Sequence, residues 1–298
     1  MSSVHVPVLG PQILEWLHIH AGGVYLDGTL GGAGHTRMIA EQLAGTGQVI
    51  SLDRDPLPVE QAPDQWRGTP IRAVHASYDQ AAQVLTELGV EAVDGILLDL
   101  GLSSDQLADP DRGFSFSASG ELDLRFDTTS GEPAWKLLSR LSEKHLADII
   151  YQYGEERMSR PIARALVERR RQGPLRQADE VADVIRSVVR SLTRKSRGTG
   201  ERIDPATRTF QALRIATNEE LQILEHALRK LPDLLKPSGR IAIISFHSLE
   251  DRLVKQHFRS DERLTVLTRK PIRPDDTELD DNRRSRSSRL RVAERKSA

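Results

Sequence analysis

Short runs of apolar, mostly β-branched residues alternate with helix-patterned segments through the first hundred residues, and this alternation restricts the chain to few folds. Val24-Tyr25-Leu26-Asp27, Gln48–Asp53 (QVISLD), Ile71–His75 and Asp94–Leu100 (DGILLDL) read as strands. His35–Leu43 and Tyr78–Leu88 read as helices, the first with Met38, Ile39 and Leu43 on one side. Near-continuous apolar strands separated by helices predict an α/β fold, a parallel sheet covered on both faces. Ligands of such sheets bind beyond the carboxyl ends of the strands.

The alternation stops near Gln106. Residues 107–132 are rich in Gly, Ser, Asp and Pro and read as loop. Helical patterns follow over Pro133–Leu141, Ser142–Tyr153, Glu155–Gln172 and Gln177–Leu192, with Ser142 as an N-cap and Gly154 and Gly173-Pro174 as stops. Arg194–Asp204 is basic and glycine-bearing, a mobile loop by composition. The α/β pattern resumes at Pro205. A long helix is expected from Thr217-Asn218 through Leu235, a strand over Arg240–Phe246, a helix over Ser248–Phe258, and strands over Leu264–Thr268 and Ser288–Val292. The expected organisation is a discontinuous sheet domain, residues 1–106 and 206–298, carrying an inserted helical domain over 107–205.

The 298 residues hold 42 basic and 43 acidic side chains, and this near-balance conceals an asymmetry. Residues 1–110 carry 4 Arg and no Lys against 14 acids, so the remainder is net positive. Arg157–Arg202 contributes 13 basic and 5 acidic residues, Asn282–Ala298 a further 7 and 1. Such a basic half suits a phosphate-rich partner. The 34 Arg to 8 Lys ratio also fits a GC-rich genome with solvated basic helices. No run approaches the ~18 apolar residues of a membrane span, and the N-terminus lacks an export pattern. A soluble, cytoplasmic protein is expected, with no membrane partner.

Asp27-Gly28-Thr29-Leu30-Gly31-Gly32-Ala33-Gly34 joins the first strand to the first helix. Glycines there let the backbone turn tightly and approach a ligand; alone they also fit an ordinary turn. Asp53 ends the second strand, where a carboxylate accepts hydrogen bonds from both ribose hydroxyls of an adenosine. The loop lacks the G-x-G-x-x-G spacing that rests a pyrophosphate on a helix N-terminus. Its acid, Asp27, suits a cationic ligand, which favours S-adenosylmethionine over a dinucleotide. Asp99 ends the fourth strand, where it either faces the reacting end of the ligand or caps a turn. Tyr78 either packs on adenine or begins a helix.

Without cysteine the chain cannot form the Cys adduct of pyrimidine C5 methylation. Direct attack by an amine or hydroxyl needs only alignment and a proton acceptor. In Ile244-Ser245-Phe246-His247-Ser248-Leu249-Glu250-Asp251, Phe246 could stack on a flipped base and His247 could accept a proton; core packing and helix initiation account for the same residues. Arg208 and Arg214 are candidate phosphate contacts or structural arginines. No His, Asp or Glu spacing indicates a metal.

Taken together these segments resemble the RsmH (MraW) family of bacterial ribosomal-RNA methyltransferases. The resemblance runs through His5-Val6-Pro7-Val8-Leu9, Asp27–His35, Leu52-Asp53-Arg54-Asp55-Pro56, Asp94–Gln106, Arg112-Gly113-Phe114-Ser115-Phe116, Leu122-Asp123-Leu124-Arg125, Tyr153–Arg157, Pro205–Arg214, Ile244–Asp251 and Arg286–Arg295. It implies a class I methyltransferase fold with an inserted helical domain that recognises RNA. It also implies transfer from S-adenosylmethionine to the N4 amine of a decoding-centre cytidine in 16S ribosomal RNA, within the small subunit and not on DNA. The cofactor residues it implies are Ala33, Gly34, His35, Asp53, Tyr78, Asp99 and Gln106; substrate contacts fall to Arg208, Phe246 and His247. The chain departs from the family at Gly32 and Ala33, where a bulkier residue and a glycine are common, and at Tyr78, often Phe.

Overall fold

The computed structural model describes residues 7–65, 68–116, 119–193 and 204–297. The chain divides into two compact units, one formed by residues up to Ser104 together with those from Leu221 onward, the other by Asp105–Glu220. The expected basic loop lies, up to residue 203, outside the described residues.

The first unit is built on seven strands: β1 (Val24–Asp27), β2 (Gln48–Asp53), β3 (Ile71–His75), β4 (Val93–Asp99), β5 (Leu235–Ser245), β6 (Leu264–Val266) and β7 (Arg289–Arg295). Their order across the sheet is β3-β2-β1-β4-β5-β7-β6. The strands from β3 to β5 are parallel, and β7 runs antiparallel to both β5 and β6. The order reverses direction beside β1, so the crevice of an open α/β sheet lies at the carboxyl ends of β1 and β4. The α/β expectation holds.

Strand alternation explains the two cores. Leu26, Ile50, Leu52, Ile96, Leu98, Ile241 and Ile243 point to one face, where they meet Val84, Leu224, Leu228, Leu231, Val254 and Phe258 from the covering helices. Tyr25, Val49, Leu97, Ala242 and Ile244 point to the other, against Ile13, Leu17, Ile39 and Leu43. A period of two sends neighbours to opposite faces, and because both faces are covered nearly every position is apolar.

Several elements differ from expectation. Helices Gly10–Leu17 and Pro56–Gln65 are not among the expected elements; each has proline in its first turn, where the missing N–H costs nothing. Tyr78–Gln80 is a 3-10 turn that leads into the helix Ala81–Glu87.

The second unit is helical: Ala134–Arg140, Glu143–Gly154, Ser159–Arg170, Ala178–Leu192 and Thr207–Asn218. Ser142 caps the second of these by accepting from the His145 N–H at 3.2 Å. Apolar stripes bury Leu146, Ile150, Ile162, Leu166, Val181, Ile185, Leu213 and Ile215. Gly154 allows Glu143–Gly154 to cross Thr207–Asn218 closely, since a Cβ there would stand 2.5 Å from the Arg208 carbonyl. The long helix expected from Thr217 through Leu235 begins at Glu220, and a helix not among the expected elements, Thr207–Asn218, precedes it. Thr207–Asn218 ends at Glu219, whose φ of 53° is left-handed, and the separate helix Glu220–Leu234 follows. Because Thr207–Asn218 packs on Glu143–Gly154, the return to the sheet unit falls at Leu221, later than the expected residue 206. No described helix is long and apolar enough to cross a membrane.

Candidate functional site

The glycine loop leaves β1 at Asp27, which is fully buried. Its Oδ2 accepts from Thr36 Oγ1 at 2.7 Å, and its Oδ1 from the Thr29 N–H at 3.1 Å and Thr29 Oγ1 at 3.3 Å. Thr29 Oγ1 in turn accepts from the Asp99 N–H at 2.7 Å, so one threonine ties the ends of β1 and β4 together. Burial raises the Asp27 carboxyl to about 6 against the lowering effect of the Thr36 hydrogen bond. This corrects the reading of Asp27 as a direct partner of a cation: its oxygens face the protein's own donors. The acid sets the shape of the loop.

The loop's backbone is strained in the way a ligand cradle requires. Gly31 has φ 46° and Ala33 φ 61°. An alanine in the left-handed region is uncommon, and glycine would adopt it at less cost. A Cβ on Gly28 would stand 2.4 Å from the Leu98 side chain and 2.8 Å from the Tyr78 Cβ, so the loop lies directly against the turn that carries Tyr78. Gly34 begins the helix Gly34–Gln42.

Asp53, at the end of β2, is oriented by two backbone donors, Gly31 N–H to Oδ2 at 2.7 Å and Asp55 N–H to Oδ1 at 2.8 Å. Burial raises it to about 6, opposed by those two bonds. Each oxygen keeps a lone pair for a further donor, which a diol supplies.

Asp99 closes β4. Its Oδ1 is buried and has no hydrogen-bond partner among the described residues, and its Oδ2 lies 3.5 Å from Nδ1 of the buried His35. His35 Nε2 is 2.8 Å from the Val8 carbonyl. Burial, reinforced by the charge of Glu250, pushes Asp99 up to about 7, and burial pulls His35 below its ordinary value. An orphaned carboxyl oxygen at a strand end favours a cationic or hydrogen-donating ligand.

Beside β4, Gly101 has φ 101° and lies against the Phe246 ring, a Cβ there falling 3.5 Å from it. Phe246 follows β5 and is half-buried on the core. His247 is the N-cap of the helix Ser248–Ser260: its Nδ1 accepts from the Glu250 N–H at 3.4 Å, and its Nε2 lies 3.1 Å from Glu250 Oε1. Glu250 Oε2 accepts from the Phe246 N–H at 2.9 Å and from the His247 N–H at 3.3 Å. This reciprocal arrangement is a capping box with histidine in the usual place of serine, so the ring's lone pair is already engaged.

In the helical unit, Gln106 is buried on the short helix Ser104–Ala108. Arg208 is 56% exposed, with the Glu156 carboxylate 3.9 Å away. Of its two expected readings, phosphate contact or structural arginine, Arg214 takes the structural one. It forms a two-pronged pair with Glu220 at 2.8 and 2.9 Å, both side chains nearly buried. Asn218 donates to the Leu124 carbonyl and accepts from the Phe126 N–H, and Arg112 donates to the carbonyls of Arg125 and Phe126. The Arg112–Phe116 and Leu122–Arg125 runs are thereby held as ordered loop.

The structure thus brings Ala33, Gly34, His35, Asp53, Tyr78 and Asp99 to the strand ends of the first unit, with Phe246 and His247 at the end of β5. Sequence reasoning missed Thr29, Thr36 and Glu250. A signal existed for the last, since Glu250 stands three residues after the cap position. None existed for the threonines.

Residues 2–296 match the sequence profile of the family described as the MraW methylase family. The chain is 46% identical over 302 residues to the ribosomal RNA small subunit methyltransferase H of Rhodopirellula baltica, covering 98% of this chain and 91% of that protein. Its identity to the protein of the same name from Thermomicrobium roseum is 44%, covering 99% and 94%. For that of Geobacter sulfurreducens it is 44%, covering 99% and 100%.

Proposed function

The chain belongs to the MraW methylase family, and from that membership we propose that it methylates the N4 amine of a decoding-centre cytidine in 16S ribosomal RNA, acting on the small subunit in the cytoplasm. It is an S-adenosylmethionine-dependent ribosomal-RNA methyltransferase of class I fold. The observation that carries the finer reading is the buried, unpartnered Asp99 oxygen at the end of β4, an acceptor suited to a cation or to an amine hydrogen.

The residues present fit the cofactor. Asp53, already oriented by Gly31 and Asp55, holds the ribose hydroxyls; the turn over Gly31–Gly34 lets backbone approach the methionine end; Tyr78 packs against adenine. When bound, the cofactor supplies an electrophilic methyl group. The protein's own residues align the attacking nitrogen, exclude water and receive a proton, and alignment provides most of the acceleration. A chain without cysteine cannot use a covalent pyrimidine adduct, which supports an exocyclic amine as nucleophile.

Phe246, held against Gly101, offers a ring face for an extruded base. Arg208 and the exposed arginines of the helical unit offer phosphate contacts, and that unit is assigned to RNA recognition. His247 serves as the cap of its helix. Small subunits lacking the modification, incubated with labelled S-adenosylmethionine, test the reading. One methyl group per 16S RNA is expected, with none on premethylated subunits, DNA or protein; label only on DNA or protein contradicts it.

A further inference from the structure

His35 sits between two acceptors, and only one arrangement of protons satisfies both. The Val8 carbonyl 2.8 Å from Nε2 can only accept, so Nε2 carries a hydrogen in every protonation state. The variable position is Nδ1, which faces Asp99 Oδ2 at 3.5 Å. A bare Nδ1 facing a carboxylate places two lone pairs against each other; a single proton, on either atom, relieves this. The charged groups that bear most on the pair are all carboxyls, each from a different element. Asp27 lies at the end of β1, Glu250 in the first turn of Ser248–Ser260, and Glu278 on the helix Asp276–Asp281, where its Oε1 accepts from the Leu9 N–H at 2.7 Å.

We propose that His35 and Asp99 act as one proton-holding pair, which gives up its proton when a sulfonium binds at the strand ends and takes one back when methyl transfer removes that charge. The proposal rests on the cofactor and amine reading above. In the transfer the amine lone pair forms the N–C bond, the C–S bond breaks with its electrons going to sulfur, and the nitrogen is left with one proton too many. That proton passes to Asp99, whose Oδ1 has no other partner among the described residues. The sum is amine plus sulfonium giving methylamine, thioether and a proton, and the proton is held by the pair. Asp99 touches the reacting group; His35 acts through Asp99 and is a positioning residue. Burial pushes Asp99 up to about 7 and pulls His35 below its ordinary value.

Titration calorimetry with S-adenosylmethionine and with S-adenosylhomocysteine, each in buffers of different ionisation enthalpy, measures protons released on binding. The two ligands share the same amino-acid end, so their difference isolates the sulfonium. The wild-type protein should release about one proton more with S-adenosylmethionine, and its preference for that ligand should rise about tenfold per pH unit across the pair's titration. In Asp99→Asn the difference should vanish; in His35→Gln it should persist with a shifted midpoint. Equal proton release for both ligands in the wild-type protein overturns the pair while leaving the cofactor reading intact, as does a difference that survives in Asp99→Asn. Failure to bind either ligand overturns the cofactor reading itself, and the pair's role with it.

Discussion

Asp27, Asp53 and Asp99 stand at the ends of three adjacent parallel strands, and burial raises all three carboxyls. A carboxyl whose native value exceeds its unfolded value binds more protons in the folded state. Its contribution to stability therefore falls as pH rises between the two values and is constant above them. For Asp99, at about 7, the window runs from roughly pH 4 to 7. Thermal denaturation of Asp99→Asn against wild type should show the variant gaining relative stability across that window, on the order of 4 kcal/mol by pH 8; a gap independent of pH contradicts the burial account. Gly28→Ala should cost about 1–3 kcal/mol and weaken cofactor binding, because the new methyl displaces Leu98 or Tyr78. Equilibrium unfolding and a binding isotherm check both halves. At this scale the glycine loop and the acids at the strand ends were legible from residue type and spacing. The role of Asp27 was not, because a sequence shows a charge but not the Thr29 and Thr36 hydroxyls that surround it.

Helix ends carry the next level of the account. The break between Thr207–Asn218 and Glu220–Leu234 is held by an exposed glutamate at φ 53°, so Glu219→Gly should stabilise the protein by about 0.5–1 kcal/mol, measured by chemical denaturation. A loss of stability would place the side-chain interactions of Glu219 above its backbone strain. The helix Ser248–Ser260 separates two roles for His247. If the ring is a cap, His247→Asn preserves both the melting temperature and turnover, and His247→Ala costs about 1 kcal/mol. Turnover lost in His247→Asn at full stability would assign the ring to chemistry. The strands were legible because burial on both faces makes them continuously apolar. The helix Thr207–Asn218 was not, since its pattern merges with the following helix and the break falls on a residue type that does not ordinarily mark one.

Over the whole molecule, charge separates the acidic first third from the basic remainder, and the ribosomal reading gives that separation a purpose. Arg157 and Arg160 are exposed in the helical unit, which we propose recognises RNA. Replacing both by Gln should weaken 16S RNA binding and lower the slope of log affinity against log salt by about one for each phosphate no longer neutralised, while cofactor affinity stays unchanged. Filter binding at several salt concentrations measures this, and an unaltered slope removes these two side chains from the interface. The charge asymmetry was visible in the sequence, but a basic helix face looks the same whether it meets phosphate or water. The target atom is the claim on which the account turns. The most direct test is to digest small-subunit RNA after reaction with labelled S-adenosylmethionine and identify the labelled nucleoside by mass. The account predicts N4-methylcytidine at a single position; label on any other nucleoside, or on the ribose, contradicts it.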